Sequence, residues 1–273
     1  MTSVAVATNV EATLAHEAER GRRRTIKAIG WAILAVAVLW FTAHQIGMKP
    51  GAIVSGAPYM WDFLTRMLPP DLSYFPNLYD STIETIQIAI WGTILAVIMS
   101  VPLALLGART TTPHIAVFHV TRMFLNALRG INELVFALIF VSAVGLGPFA
   151  GVLAIALHAT GMLAKFVAEE AEGIDRGQVE ALEATGAGRM QIILFGIIPQ
   201  VIPAFISYTI YRLDVSIRSA TILGLVGAGG LGFSLIKTMK LFQYHQTATC
   251  ILVIFVLVLV SDWICARLRA RVI

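Results

Sequence analysis

Long apolar runs alternate along this chain with short polar segments, and few charges fall inside the runs. A membrane-spanning helix needs about 20 mainly apolar residues. Six runs reach that length, at about 26–46, 82–106, 123–144, 149–168, 191–211 and 247–266. Pro102 interrupts the second, and the turn Gly145-Leu-Gly-Pro148 joins the third to the fourth. The bilayer interior offers no partner for open backbone groups, so such runs predict helices. The expected fold class is all-α, a polytopic membrane protein with about six transmembrane helices. Segment 47–81 departs from the pattern, with Pro50, Pro58, Pro69, Pro70 and Pro76 set among Tyr59, Trp61, Phe63, Tyr74 and Phe75. It predicts an interfacial loop with a short helix, its aromatics anchored at headgroup level.

Composition narrows the class. Of the 273 residues 58% are hydrophobic and only 13% charged, with a mean hydropathy of +0.80, whereas soluble domains carry about 25% charged residues. The formal net charge is +4, and the basic residues gather between the runs rather than on one helix face. That arrangement sets membrane orientation and argues against nucleic-acid binding. With the N-terminus inside, thirteen of the twenty Lys and Arg fall on the cytoplasmic side, beginning with Arg20, Arg22, Arg23, Arg24 and Lys27. Both termini are therefore expected in the cytoplasm. A long uncleaved run behind a basic start reads as an anchor rather than a removed signal. The expected organisation is a cytoplasmic tail at 1–25, a first span and extracytoplasmic loop at 26–81, a core at 82–266 and a cytoplasmic tail at 267–273. Cys250 and Cys265 are 15 residues apart in one run, about 22 Å on a helix, too far for a disulfide.

The polar segment 168–190 holds Glu169, Glu170, Glu172, Asp175, Glu180 and Glu183, which are costly in lipid. It predicts a cytoplasmic helix pair, with Val179–Ala184 amphipathic and Gly186 able to end it through a left-handed cap. On composition alone a solvated connector fits equally well. The string Glu180-Ala-Leu-Glu-Ala-Thr-Gly186, followed after nine residues by Gly196-Ile-Ile-Pro199, resembles the EAA loop of ABC importer permeases, E-A-A-x-x-x-G, nine residues, I-x-L-P. Leu182, Gly196 and Ile198 depart from that pattern, while the spacing from Glu180 through Gly186 to Pro199 is kept. In that family the loop couples to an ATPase subunit, which implies coupling roles for Glu180, Ala181, Glu183, Ala184, Gly186 and Pro199.

A finer resemblance runs over about 80–266. Leu128-Arg-Gly-Ile-Asn-Glu-Leu134, Ala143–Gly151, Pro199-Gln-Val-Ile-Pro203 and Arg218–Gly232 are similar to the permease subunit of phosphonate-type ABC importers, with Asn132 where that family is expected to carry proline. The resemblance implies a type I importer permease fold in the cytoplasmic (inner) membrane of a bacterium. It implies transport of a phosphonate, phosphite or phosphate by alternating access. The implied partners are a second copy of the chain, two copies of a cytoplasmic ABC ATPase, an extracytoplasmic substrate-binding protein and the lipid bilayer. No cofactor is expected on this chain, ATP and Mg²⁺ being bound by the ATPase. Alternatives are a permease of the same architecture for another small substrate such as methionine, and an ion-coupled secondary transporter.

A phosphorus oxyanion needs compensating positive charge in its pathway, and arginine can grip two of its oxygens at once. The candidates are Arg129, Arg212 and Arg218, with Glu133 four residues after Arg129 and therefore on its face of a continuous helix. Each arginine could instead snorkel to headgroups or pair internally with Glu133 or Asp214. His158 reads as a packed polar residue, His114 and His119 are poorly spaced for one face, and no metal site is expected. Enzymatic motifs such as G-x-x-x-x-G-K-[ST], H-E-x-x-H and G-x-S-x-G do not occur, so any ATP hydrolysis belongs to a partner. Gly227, Gly229 and Gly232 spell the dinucleotide fingerprint G-x-G-x-x-G, but an apolar span lies where its acidic residue belongs,. Gly227, Gly229, Gly230 and Gly232 are instead expected to form a bend or close-packed gate beside the pathway.

Overall fold

A computed structural model describes residue 24 and residues 27–271. The tail 1–25 apart from Arg24, and the last two residues of the tail 267–273, lie outside the described residues. The chain divides into two compact units, one through Phe63 and one from Leu64 onward. In the first, α1 (Lys27–Gln45) is long and apolar enough to cross a membrane, and it exposes Trp31, Val36, Trp40 and Phe41. Helix α2 (Pro50–Met67) occupies most of the aromatic segment.

The second unit is helical throughout its regular structure. Asp71 accepts a hydrogen bond from the Ser73 amide and caps a 3₁₀ segment, Leu72–Leu78, that leads into α3 (Tyr79–Gly107). Then follow α4 (Ile115–Gly130), α5 (Glu133–Val144), α6 (Pro148–Glu172), α7 (Arg176–Ala184) and α8 (Arg189–Gln191). A π-helical segment (Ile192–Ile197) joins α8 to α9 (Ile198–Gly224), and α10 (Gly230–Lys240) and α11 (Tyr244–Arg269) complete the chain. Helix α6 is the centre, packing on α3, α4, α5 and α9. Its buried face is almost entirely small, with Gly151, Ala154, Ala159, Gly161, Ala164 and Ala168, and α3 answers with Ala89, Gly92, Ala96 and Ala104. Lipid gives no hydrophobic drive to helix pairing, so close backbone approach supplies it. A Cβ on Gly92 would stand 2.7 Å from Ile155 Cγ2.

Two expected spans take a different form. The run 123–144 is not one straight helix, because α4 and α5 meet at 87°. Asn132 caps α5 by accepting from the Leu134 amide at 2.9 Å, with φ −65° and ψ 144°. That φ is the one proline imposes, and Ile131 at φ −90°, ψ 124° has the extended backbone that precedes proline. Asparagine thus keeps the backbone break and adds a cap. The fifth run does not end near 211, since α9 continues to Gly224. Its charges stay helical because neighbouring helices satisfy them. Pro199 has no N–H for the carbonyl four residues back, and the turn before it widens to π geometry,.

Candidate functional site

At the α9–α10 junction the chain reverses through a run of glycines. Gly227, Gly229 and Gly230 have φ of 95°, 81° and 68°, left-handed values that disfavour a side chain. A Cβ on Gly232 would lie 1.8 Å from the Thr221 carbonyl oxygen, and one on Gly224 would lie 2.5 Å from that of Gly229. The first amides of α10 have no partner within their own helix. Glu84 and Thr85 of α3 supply them, Glu84 Oε2 accepting from Gly230 N and Thr85 Oγ1 from Leu231 N, each at 2.8 Å. Gly147 N donates to the Gly227 carbonyl at 2.9 Å, so the turn before α6 meets the turn before α10. Glu84 was absent from the sequence candidates. Its signal was there: a lone carboxylate inside an apolar run. No strand occurs among the described residues, so the dinucleotide fingerprint has no strand to follow.

The three arginines have different surroundings. Arg212 is buried in α9 at 2% exposure, its Nη2 3.2 Å from Glu133 Oε2, and its Nε has no hydrogen-bond partner. Ser219 Oγ donates to the other oxygen of Glu133. Arg212 and Glu133 therefore form an internal pair that fastens α9 to the first turn of α5. Arg129 and Glu133 do not share a helix face as the sequence spacing suggested, because the 87° break lies between them. Arg129 ends α4 with its guanidinium 6.0 Å from the centre of the Phe166 ring. His158 packs as expected, its Nδ1 3.1 Å from the Ile131 carbonyl in the break.

Arg218 differs from both. Its Nη2 is 3.3 Å from Asp262 of α11 and 3.9 Å from Asp214 one turn earlier in α9. The side chains are 51%, 48% and 9% exposed for Arg218, Asp262 and Asp214, and Ser261 Oγ donates to Asp214 at 3.4 Å. Arg269 lies 5.9 Å over the Tyr211 ring and Arg267 4.5 Å over Trp263, a basic and aromatic pairing typical of a membrane boundary. Arg218 is seven residues along α9 from Tyr211, about 10 Å at the helical rise. A half-exposed guanidinium at that depth cannot face lipid cheaply and calls for protein or water opposite it. No cluster of three metal-ligating side chains occurs among the described residues.

The acidic segment, expected in the cytoplasm, forms a separate feature. Asp175 caps α7 by accepting from Gly177 N at 2.9 Å. Glu180, Ala181, Glu183 and Ala184 are exposed, while Val179 and Leu182 turn inward. Gly186, at φ 80°, ends the helix with its amide on the Glu183 carbonyl at 2.9 Å. Pro199 stands in the first turn of α9. Leu182 and Gly196, two of the departures from the loop pattern, touch each other: a Cβ on Gly196 would be 2.9 Å from Leu182 Cδ1. The larger residue at one position fills the space left by the smaller at the other. Both ends of the segment are tied to the α3–α4 turn, Arg109 N donating to Glu172 Oε1 at 2.8 Å and Arg189 Nη2 to the carbonyls of Thr111 and Thr112.

A small-residue helical core, a glycine reversal between α9 and α10 and an exposed helix between the fourth and fifth candidate spans define a multi-pass permease of the type I ABC importer class. Residues 100–273 match the family described as "Binding-protein-dependent transport system inner membrane component", and the chain belongs to it. The putative phosphite transport system permease protein HtxC of Stutzerimonas stutzeri is 42% identical over 92% of this chain and 88% of its own. The phosphite transport system permease protein PtxC of the same organism is 38% identical over 89% of each. The phosphate-import permease protein PhnE of Mycolicibacterium smegmatis is 39% identical over 84% of this chain and 43% of its own. Among solved structures, the inward-facing MetNI methionine ABC transporter matches with a TM-score of 0.64 at 20% identity, covering 74% of this chain and 99% of that one. That likeness shows the fold.

Proposed function

We propose that this chain forms the translocation pathway of an ATP-driven importer for a phosphorus oxyanion, phosphite, phosphonate or phosphate. Two copies work with two cytoplasmic ATPase subunits, which bind ATP and Mg²⁺, and with an extracytoplasmic binding protein, in a bacterial inner membrane with both termini cytoplasmic. The observation that carries the reading is Arg218, a half-exposed guanidinium inside a spanning helix. A permanently charged, planar fork there suits a tetrahedral oxyanion. Relatives named for phosphite and phosphate transport support the substrate class. The exposed face of α7 at Glu180, Ala181, Glu183 and Ala184 suits docking to an ATPase, and the glycine reversal suits a gate.

The test is reconstitution of the chain with its candidate ATPase and binding protein in proteoliposomes. Uptake of labelled phosphite or phosphate should require all components and ATP, with methionine inert. Failure of phosphite, phosphonate and phosphate alike to drive uptake or ATP hydrolysis would overturn the substrate class. Full uptake by the chain alone would overturn the dependence on an ATPase.

A further inference from the structure

This step rests on the oxyanion-importer reading. Arg218 already has anions of its own. Asp262 lies 3.3 Å away on α11 and Asp214 3.9 Å away on α9, so the cluster, fully ionised, carries one excess negative charge. In that state it repels the cargo that Arg218 is placed to receive. The two carboxylates are not equivalent. Asp214 rides on the helix that carries Arg218, is nearly buried and accepts from Ser261, so it moves with the guanidinium. Asp262 is half exposed and reaches Arg218 across the α9–α11 contact. Arg267 and Arg269, about a turn or two further along α11 from Asp262, lie over aromatic rings.

We infer that Asp262 is a built-in competitor for Arg218. It occupies the guanidinium while α9 and α11 are together and gives it up to the oxyanion when they part. A carboxylate and a phosphorus oxyanion bind the same guanidinium fork, so the exchange needs no other group. Parting the helices removes one negative charge and leaves Arg218 balanced by Asp214 alone, with its outer face open. Their return puts the carboxylate back and expels the cargo. Asp262 is in this sense a positioning residue that sets how firmly the pathway holds its anion.

The test uses the complete complex in proteoliposomes, with inorganic phosphate added on the ATPase side while uptake of labelled phosphite is measured. In Asp262→Asn the phosphate concentration that halves uptake should fall about fivefold, the scale of an exposed ion pair. Asp262→Glu should behave as wild type. Unchanged inhibition in an assembled Asp262→Asn complex overturns the inference. A second measurement needs no variant: phenylglyoxal labelling of Arg218 in the wild-type complex should be slower at rest than after trapping with vanadate. Equal labelling in both states overturns the inference. If the wild type carries no phosphorus oxyanion, the importer reading fails instead, and the labelling still reports whether Asp262 releases Arg218.

Discussion

The contact between Leu182 and Gly196 makes a quantitative claim about how α7 is held. Gly196→Ile places a branched side chain whose Cβ alone would stand 2.9 Å from Leu182 Cδ1. Overpacking of that kind costs about 1–3 kcal/mol, here spent on lifting α7 off its seat. Leu182→Ala removes three carbons from a half-buried position, about 1 kcal/mol at ~0.8 kcal/mol for each fully buried methylene. Each change alone loosens the helix. Together they restore the volume, so the pair should couple favourably by about 1–2 kcal/mol. The assay is limited trypsin digestion of the purified permease, following cleavage after Arg176, the first residue of α7. Cleavage reports the fraction of molecules with α7 detached when reclosing outpaces the protease. Because about 1.4 kcal/mol is tenfold, Gly196→Ile should speed that cut about tenfold or more, and the double variant should return to within about threefold of wild type. A double variant cleaved at the product of the two single effects would show that the residues do not share one space, and would refute the reasoning.

Gly232→Ala should lower the thermal inactivation midpoint sharply, by at least about 3 kcal/mol in stability, since its Cβ would meet a backbone oxygen at 1.8 Å; a wild-type midpoint would refute the close crossing of α9 and α10. Glu84→Leu strands the Gly230 amide and should cost about 1–3 kcal/mol, whereas Glu84→Gln, which keeps an acceptor, should recover most of it in the same measurement. Arg212→Met leaves the partly buried Glu133 without its cation and should cost about 3 kcal/mol, the low end for breaking a buried pair, with Arg212→Met/Glu133→Gln milder than the single change; equal loss in both would argue against the pair. Asn132→Pro should fold with its break intact and lose only the cap, about 1 kcal/mol, visible as a small drop in melting temperature.

How much the sequence revealed depended on whether the signal was local. Span number and the acidic loop could be read because each needs only the solvent preference of consecutive residues. The place where α9 ends could not. Arg212, Asp214 and Arg218 look like the edge of a span until Glu133 and Asp262, remote in sequence, are known to meet them. The shared face of Arg129 and Glu133 was misjudged for a related reason: the (i, i+4) rule holds only on an unbroken helix, and the break at Asn132 rests on one side-chain cap. The glycines announced a special backbone, but the carboxylate that stabilises it lies some 146 positions away. Leu182 and Gly196 looked like two unrelated departures and are one compensated contact.

The tie between Arg189 and the α3–α4 turn has a consequence for how the chain can vary. Its acceptors are the main-chain oxygens of Thr111 and Thr112, which every residue type provides. Substitution at 111 or 112 leaves the link standing so long as the turn keeps its shape, and only the donor is chemically constrained. With Glu172 held by the amide of Arg109, another group common to nearly all residues, both ends of the acidic segment hang from one short stretch of backbone. A push on α7 therefore arrives at α3 and α4 through a joint whose membrane side is indifferent to sequence. The exposed face of α7 can drift in sequence while that joint stays unchanged.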